Sequence, residues 1–252
     1  MPREARMKSS TGIYHVIMRG VNKQMIFEED EDKLRFLQTL SKYKKVSQYQ
    51  IFSYCLMDNH VHLLIKESDE ALSVFMKRIC TSYVRWFNNK YERIGHLFQA
   101  RFQSEVVENP VSFLKVLRYI HQNPLKAGLV ENVFDSSWTS VNEYLHKSRI
   151  VDVDYGLDLL SPNREKAIRL YIKYMQQFNN EQFLDVYIGE QKTDQEVREY
   201  LYSLGLQNTS QLQQMEKSER DEILSRIKSV KGVSIRQLSR VTGISKSVIG
   251  RV

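Results

Sequence analysis

At 252 residues the chain is long enough for one large domain, or for a medium domain with a smaller appendage. Its 42% hydrophobic and 27% charged residues suit a soluble globular protein, and the excess of 37 Lys and Arg over 30 Asp and Glu is compatible with a polyanionic partner without requiring one. Two cysteines with no CxxC pair argue against a disulfide framework and a cysteine zinc site; MPREARMKSS lacks the apolar core of a secretory signal, and nothing approaches the ~20 apolar residues that span a bilayer, so a cytoplasmic protein with no membrane partner is expected.

In chain order, Ile13 to Met18 alternates as a strand and Gly20, Val21 and Asn22 form a turn. Asp30 to about Gln48 has apolar residues at helical spacing, with acidic residues at its start, where the helix dipole favours them. Gln50 to Met57 and His60 to Lys66 are strands joined through Asp58-Asn59, a turn dipeptide, and so predict a hairpin. A long amphipathic helix over Leu72 to Asn88 and a strand over Phe102 to Val107 follow. Asn109-Pro110 opens a helix that runs to about Asn123, with Pro124 ending it. The order β-α-β-β-α-β-α predicts an α+β fold: a ferredoxin-like split βαβ antiparallel sheet with helices on one face. Trp138 to His146 is expected to pack back onto this domain.

Beyond Arg149 the alternating pattern disappears. Ser148 to Pro162 reads as a linker, and Ser161-Pro162-Asn163 starts a helix to about Asn179. The expected domains are 1–147, a linker and helical connector over 148–192, and an all-helical region over 193–252. Its last stretch, VSIRQLSRVTGISKSVIGRV, spaces apolar residues around Gly243 as a helix-turn-helix would, with Ser245 capping the second helix. Ser245, Lys246, Ser247 and Arg251 would then face DNA; the plainer alternative is a helical hairpin in an accessory bundle.

Within CLMDNHVHLLI, His60 and His62 are two residues apart on a strand and project to one face, a bidentate platform for a metal. Alone, such a pair is more often merely solvent-facing. In RYIHQNPLKAGLV, Tyr119 and Asn123 lie one helical turn apart, and His121 points elsewhere. Two imidazoles and an amide oxygen make a mixed site suited to Mg²⁺ or Mn²⁺, which can withdraw charge from a phosphate while a tyrosine hydroxyl attacks.

With these motifs in view, the chain resembles the HUH single-tyrosine transposases, and among them the REP-associated tyrosine transposases. The resemblance covers about residues 10 to 145, through GIYHVIMRGVNKQMIFEEDED, YCLMDNHVHLLI, GHLFQARFQSEVVE and LRYIHQNPLKAGLV in order. It implies His60 and His62 as metal ligands, Asn123 as the third ligand (glutamine in some relatives) and Tyr119 as the nucleophile. The implied reaction is metal-dependent cleavage and rejoining of single-stranded or hairpin DNA through a 5′-phosphotyrosine, without ATP. No GxxxxGK[ST] phosphate loop occurs, so no nucleotide cofactor is expected. A homodimer, with the site in cis or in trans, is left open.

Arg19, Arg101, Lys115 and Arg118 are further candidates for DNA contact, and His15 reads equally well as a satisfied sheet-face histidine. Phe98, Phe102, Met57 and Trp86 read as core. Two other functions stay open: a domesticated binder of structured DNA or RNA, and a nuclease that uses water in place of Tyr119.

Overall fold

The computed structural model describes residues 6–178, 183, 192, 194–206, 208, 211–230 and 232–252. They fall in two compact units, Met1–Val186 and Tyr187–Val252.

In the first unit, β1 (Ile13–Arg19), α1 (Asp30–Ser47), β2 (Gln50–Met57), β3 (His60–Lys66), α2 (Leu72–Lys90) and β4 (Gln103–Val106) build a four-stranded sheet of order β2-β3-β1-β4. Every pairing is antiparallel, as the split βαβ order predicts. In register, His15 stands opposite Glu105, Ile17 opposite His62 and Arg19 opposite His60, so these side chains leave one face of the sheet. Residues between them, such as Met18, leave the other.

The helices α1 and α2 cover the Met18 face; Cys80 Sγ of α2 contacts Met18 Sδ at 3.3 Å. Phe27, Phe36, Tyr83 and Phe87 fill the layer between, each buried, with Tyr83 donating its hydroxyl to the Ile26 carbonyl at 2.6 Å. Burying each such ring stabilises the fold by about 2 kcal/mol. The two helices of the split βαβ module therefore share a face. The next helix, α3 (Pro110–Lys126), lies on the opposite face, against β2 and β3.

Two expectations require correction here. Pro124 does not end α3: Ala127 N still donates to Asn123 O at 3.0 Å. A proline in the last turn costs one bond but keeps a helical φ. The stop is Gly128, at φ 69°, with Gly128 N on Leu125 O at 3.0 Å and Leu129 N on Pro124 O at 2.9 Å.

Nor is Ser148 to Pro162 a linker. Asp152 N donates to Ile51 O at 2.7 Å while its carboxylate accepts from Ile51 N at 2.9 Å, and Val151 and Leu157 are buried in the core. The acidic side chains here serve backbone N–H groups of the fold. Glu143 likewise accepts from Arg149, Ile150 and Val151. Trp138 to His146 does pack back, with Leu56 N on Trp138 O at 2.9 Å, so this whole stretch covers the free edge of β2. The helices α4 (Asp154–Asp158) and α5 (Arg164–Met175) then add Leu157, Ala167, Tyr171 and Met175 to the same core. Asn163 caps α5 through Lys166 N at 2.9 Å. Most of the expected connector beyond Phe178 lies outside the described residues.

The second unit is helical among its described residues: α6 (Asp194–Ser203), α7 (Gln211–Gln214), α8 (Lys217–Lys228), α9 (Ile235–Thr242) and α10 (Lys246–Arg251). Leu201, Leu212, Leu224, Ile227, Leu238, Ile244 and Ile249 form its core. Arg240 makes a two-pronged pair with Asp194 at 2.8 and 2.6 Å, fastening α9 to α6. Gly243, at φ 72°, turns the chain between α9 and α10. On α9, Ile235 is exposed and Val241 is buried. Among the described residues no helix is long and apolar enough to cross a membrane.

Candidate active site

His60 and His62 leave β3 on the face that α3 covers, their ring centroids 5.0 Å apart. The turn before them is clamped: Gly20 N donates to Asn59 O at 2.9 Å, and Ile26 N and Phe27 N both donate to Asp58 O. Asn59 Oδ1 lies 2.6 Å from His60 Nδ1. An amide oxygen only accepts, so that ring nitrogen carries the proton.

His62 is fully buried, and burial, followed by His15 and His60, pushes its pKa well below the ordinary value; the ring stays neutral, the form a metal ligand needs. Its Nδ1 sits 3.0 Å from His15 Nε2, and its Nε2 is buried with no hydrogen-bond partner among the described residues. On the far side of His15, Nδ1 is 3.9 Å from the Glu105 carboxylate.

Tyr119 of α3 packs edge-on against both rings, 5.8 Å from His62 and 5.8 Å from His15 by centroid. It is only 3% exposed, with Phe183 at 5.3 Å against its other edge. Lys126, two turns on, holds its ammonium 4.7 Å from the Tyr119 ring centre. Asn123 is 8% exposed, and its side-chain nitrogen donates to Tyr119 O at 2.9 Å. His121 points away as expected, buried between Ser140 Oγ and the Tyr171 hydroxyl, each 2.8 Å off.

The structure thus brings His60, His62 and Tyr119 together across the sheet–helix interface, with Asn123 one turn along the helix. Among the described residues no group of three or more His, Cys, Asp or Glu is set to hold a metal. The donors expected of such a site would be two imidazoles plus the oxygen of Asn123, and the buried His62 Nε2, with no hydrogen-bond partner among the described residues, would suit a cation that completes its shell with water or phosphate oxygens.

Residues 8–123 match the family model described as "Transposase IS200 like", a span that starts ahead of β1 and ends on Asn123. Residues 8–123 form a transposase IS200-like domain. A Haemophilus influenzae protein described as a REP-associated tyrosine transposase is 28% identical over 131 residues, covering 46% of this chain and 73% of its own. A solved structure, "Structure of the REP associates tyrosine transposase bound to a REP hairpin", matches with a TM-score of 0.50 at 18% identity, over 61% of this chain and 90% of that one. That likeness is one of fold and agrees with the sheet described above.

Around the IS200-like domain's site, the candidate DNA contacts separate. Arg19 is half-buried beside His60 in register. Arg101 is exposed, and Lys115 is half-buried on α3. Arg118 is otherwise: 7% exposed, stacked 4.3 Å over the Tyr174 ring and donating to Gln177 at 3.1 Å, it is a packing residue. In the second unit, Ser245, Lys246, Ser247 and Arg251 are all exposed as expected, though Ser245 Oγ contacts Ser247 Oγ at 3.0 Å and makes no cap bond. The expected sheet order already set His15 beside the histidine strand, as the β1–β3 register does. Sequence reading did not single out Asn59, Lys126 or Phe183, and nothing local signals Phe183.

Proposed function

We propose that this chain cleaves and rejoins single-stranded DNA beside hairpins, with Tyr119 as nucleophile and Mg²⁺ or Mn²⁺ held by His60, His62 and Asn123. The observation that carries this reading is the bare Nε2 of buried His62 in the cluster that also holds Tyr119. Hairpin DNA is carried over from the structural relative, whose own complex contains a REP hairpin.

Tyr119 Oη would attack the scissile phosphorus, forming a P–O bond to the ring while the bond to the 3′ oxygen breaks. The phenol proton leaves, and the departing oxygen gains one to become a 3′-hydroxyl. Attack by a 3′-hydroxyl on the phosphotyrosine reverses the exchange, one P–O bond for another, so no ATP is needed. A bound cation would draw charge from the phosphate and ease both attacks. A free tyrosine, with pKa about 10, is a weak nucleophile at neutral pH. The Lys126 ammonium, 4.7 Å from the centre of the Tyr119 ring, places a positive charge beside the proposed nucleophile. Arg19, next to His60, supplies a positive charge for the strand, and Lys246 and Arg251 supply further phosphate contacts from the second unit.

One observation favours a second reading, a binder of structured nucleic acid without strand transfer: Tyr119 is 3% exposed, beneath Phe183. Incubating the protein with a labelled hairpin carrying single-stranded flanks and Mn²⁺ separates the two. A denaturation-resistant protein–DNA adduct, lost in Tyr119→Phe, supports transfer. Binding with no adduct across a set of hairpins supports the second reading, and cleavage that survives Tyr119→Phe points to water as nucleophile.

A further inference from the structure

Both histidines of the HVH strand have their Nδ1 atoms engaged by neighbours that carry no assigned role. We infer that His15 and Asn59 are positioning residues that fix the tautomers of His62 and His60, so that both rings turn an unprotonated Nε2 towards the cation; this rests on the metal site proposed above.

The argument for His60 is short. Asn59 Oδ1 at 2.6 Å can only accept, so His60 Nδ1 donates and its lone pair is on Nε2. For His62 the two tautomers are distinguished by what each would bury. With the proton on Nε2, His62 would bury a donor that has no acceptor among the described residues. With the proton on Nδ1, His62 donates to His15 Nε2 at 3.0 Å and keeps a lone pair, not a stranded donor, on its own Nε2. His15 then carries its own proton on Nδ1, on the side where the Glu105 carboxylate lies at 3.9 Å, the sign of charge that favours it there. The chain Glu105, His15, His62 therefore has a direction, and it ends in a bare nitrogen.

The fold holds the chain in place. His15 and Glu105 are register partners across β1 and β4, and His62 lies one step diagonally along β3 from His15. His15 is fully buried, and its ring stacks on His62 at 20° with centroids 5.3 Å apart. Asn59 is held at the turn by Gly20 N. Partners that orient a metal-binding imidazole in this way typically affect metal affinity by about 10- to 100-fold when removed. His15 is not itself a ligand in this arrangement, since its Nε2 lone pair is occupied by His62.

The test uses full-length protein and two readouts. Nitrogen-15 imidazole spectra of the metal-free protein report which ring nitrogen carries the proton, and Mn²⁺ titration followed by electron paramagnetic resonance reports affinity. We expect His60 and His62 to be protonated on Nδ1. In His15→Phe, His62 should lose that preference and Mn²⁺ affinity should fall about 10- to 100-fold. His15→Gln, whose amide oxygen can accept from His62 Nδ1, should recover most of it, and Asn59→Leu should act on His60 in the same way. His62 protonated on Nε2 in the native protein overturns the inference even if His15→Phe fails to fold. Unchanged Mn²⁺ affinity in folded His15→Phe, with affinity lost in His62→Ala, overturns the inference and keeps the metal site. Native protein that binds no Mn²⁺, or binds it equally well as His62→Ala, overturns the metal site and the inference with it.

Discussion

The side-chain nitrogen of Asn123 donates to the carbonyl oxygen of Tyr119 at 2.9 Å, one turn back along α3. That bond commits the nitrogen to the backbone and leaves Oδ1 as the acceptor, which ties the orientation of the proposed third ligand to the residue proposed as nucleophile. Asn123→Leu removes the oxygen and should weaken Mn²⁺ binding at least about tenfold. Asn123→Asp keeps an oxygen and adds charge, and should bind Mn²⁺ as tightly as the native protein or more so. Titration of both variants decides it: native-like affinity in Asn123→Leu would remove Asn123 from the ligand set.

Arg118 and Lys246 illustrate two opposite fates for a cation. Arg118 lies over Tyr174 and bonds Gln177, so Arg118→Ala should destabilise the first unit by about 1–3 kcal/mol through lost packing and leave the salt dependence of DNA binding unchanged. Lys246 and Arg251 are exposed on α10. Replacing both with Ala should leave stability unchanged and make the plot of log affinity against log salt shallower by about 2. Filter binding of hairpin DNA from low to high salt, beside urea melts, measures both quantities; a changed slope in Arg118→Ala would return that residue to the DNA interface.

Much of the sheet was legible in the sequence because its signals are local. Alternation gave β1, β2 and β3 almost to the residue, the Asp58-Asn59 dipeptide gave the hairpin, and two-residue and four-residue spacings put His60 with His62 and Tyr119 with Asn123. What stayed hidden depends on contacts distant in sequence. His15 was legible as a neighbour of the histidine strand, but its 3.0 Å contact with His62 forms only when β1 pairs with β3, 47 positions away, and Arg118 becomes a packing residue only when Tyr174 arrives, so its charge alone misled. The stretch from Ser148 to Pro162 read as a linker because nothing in it reveals that Asp152 completes the edge of β2.

Asp32 gives the first unit a pH dependence with a definite sign. Burial alone would raise its pKa, but the Lys90 ammonium at 2.8 Å, the backbone N–H of Glu29, the Tyr91 hydroxyl and the backbone N–H of Glu28 together hold it below the ordinary 3.8. The folded state then holds the proton more weakly than the unfolded chain. The stabilisation is fully present above the unfolded value of 3.8 and is lost as pH falls through the lower, folded value. Urea midpoints between about pH 2.5 and 6 should fall on acidification more steeply in the native protein than in Asp32→Asn, which is destabilised at neutral pH and flatter below it. Parallel curves would mean that Asp32 titrates as it does in the unfolded chain.

Gly20 links the fold to the site through space. A Cβ there would stand 2.1 Å from the Gln24 carbonyl oxygen, a backbone atom that cannot swing aside, while Gly20 N holds Asn59 O at 2.9 Å. Gly20→Ala therefore has to push the end of β1 away from the turn that carries Asn59 and His60. We expect a loss of about 1–3 kcal/mol from overpacking, together with weakened Mn²⁺ binding, because the turn and the histidine shift as one. Gly250→Ala is the matched control: nothing lies within 4 Å of its would-be Cβ, and in α10 alanine should be neutral or stabilising by up to about 1 kcal/mol. Urea melts and Mn²⁺ titrations of the two variants read both effects, and a Gly20→Ala protein with native stability and native affinity would show that the β1 end is free to adjust without moving His60.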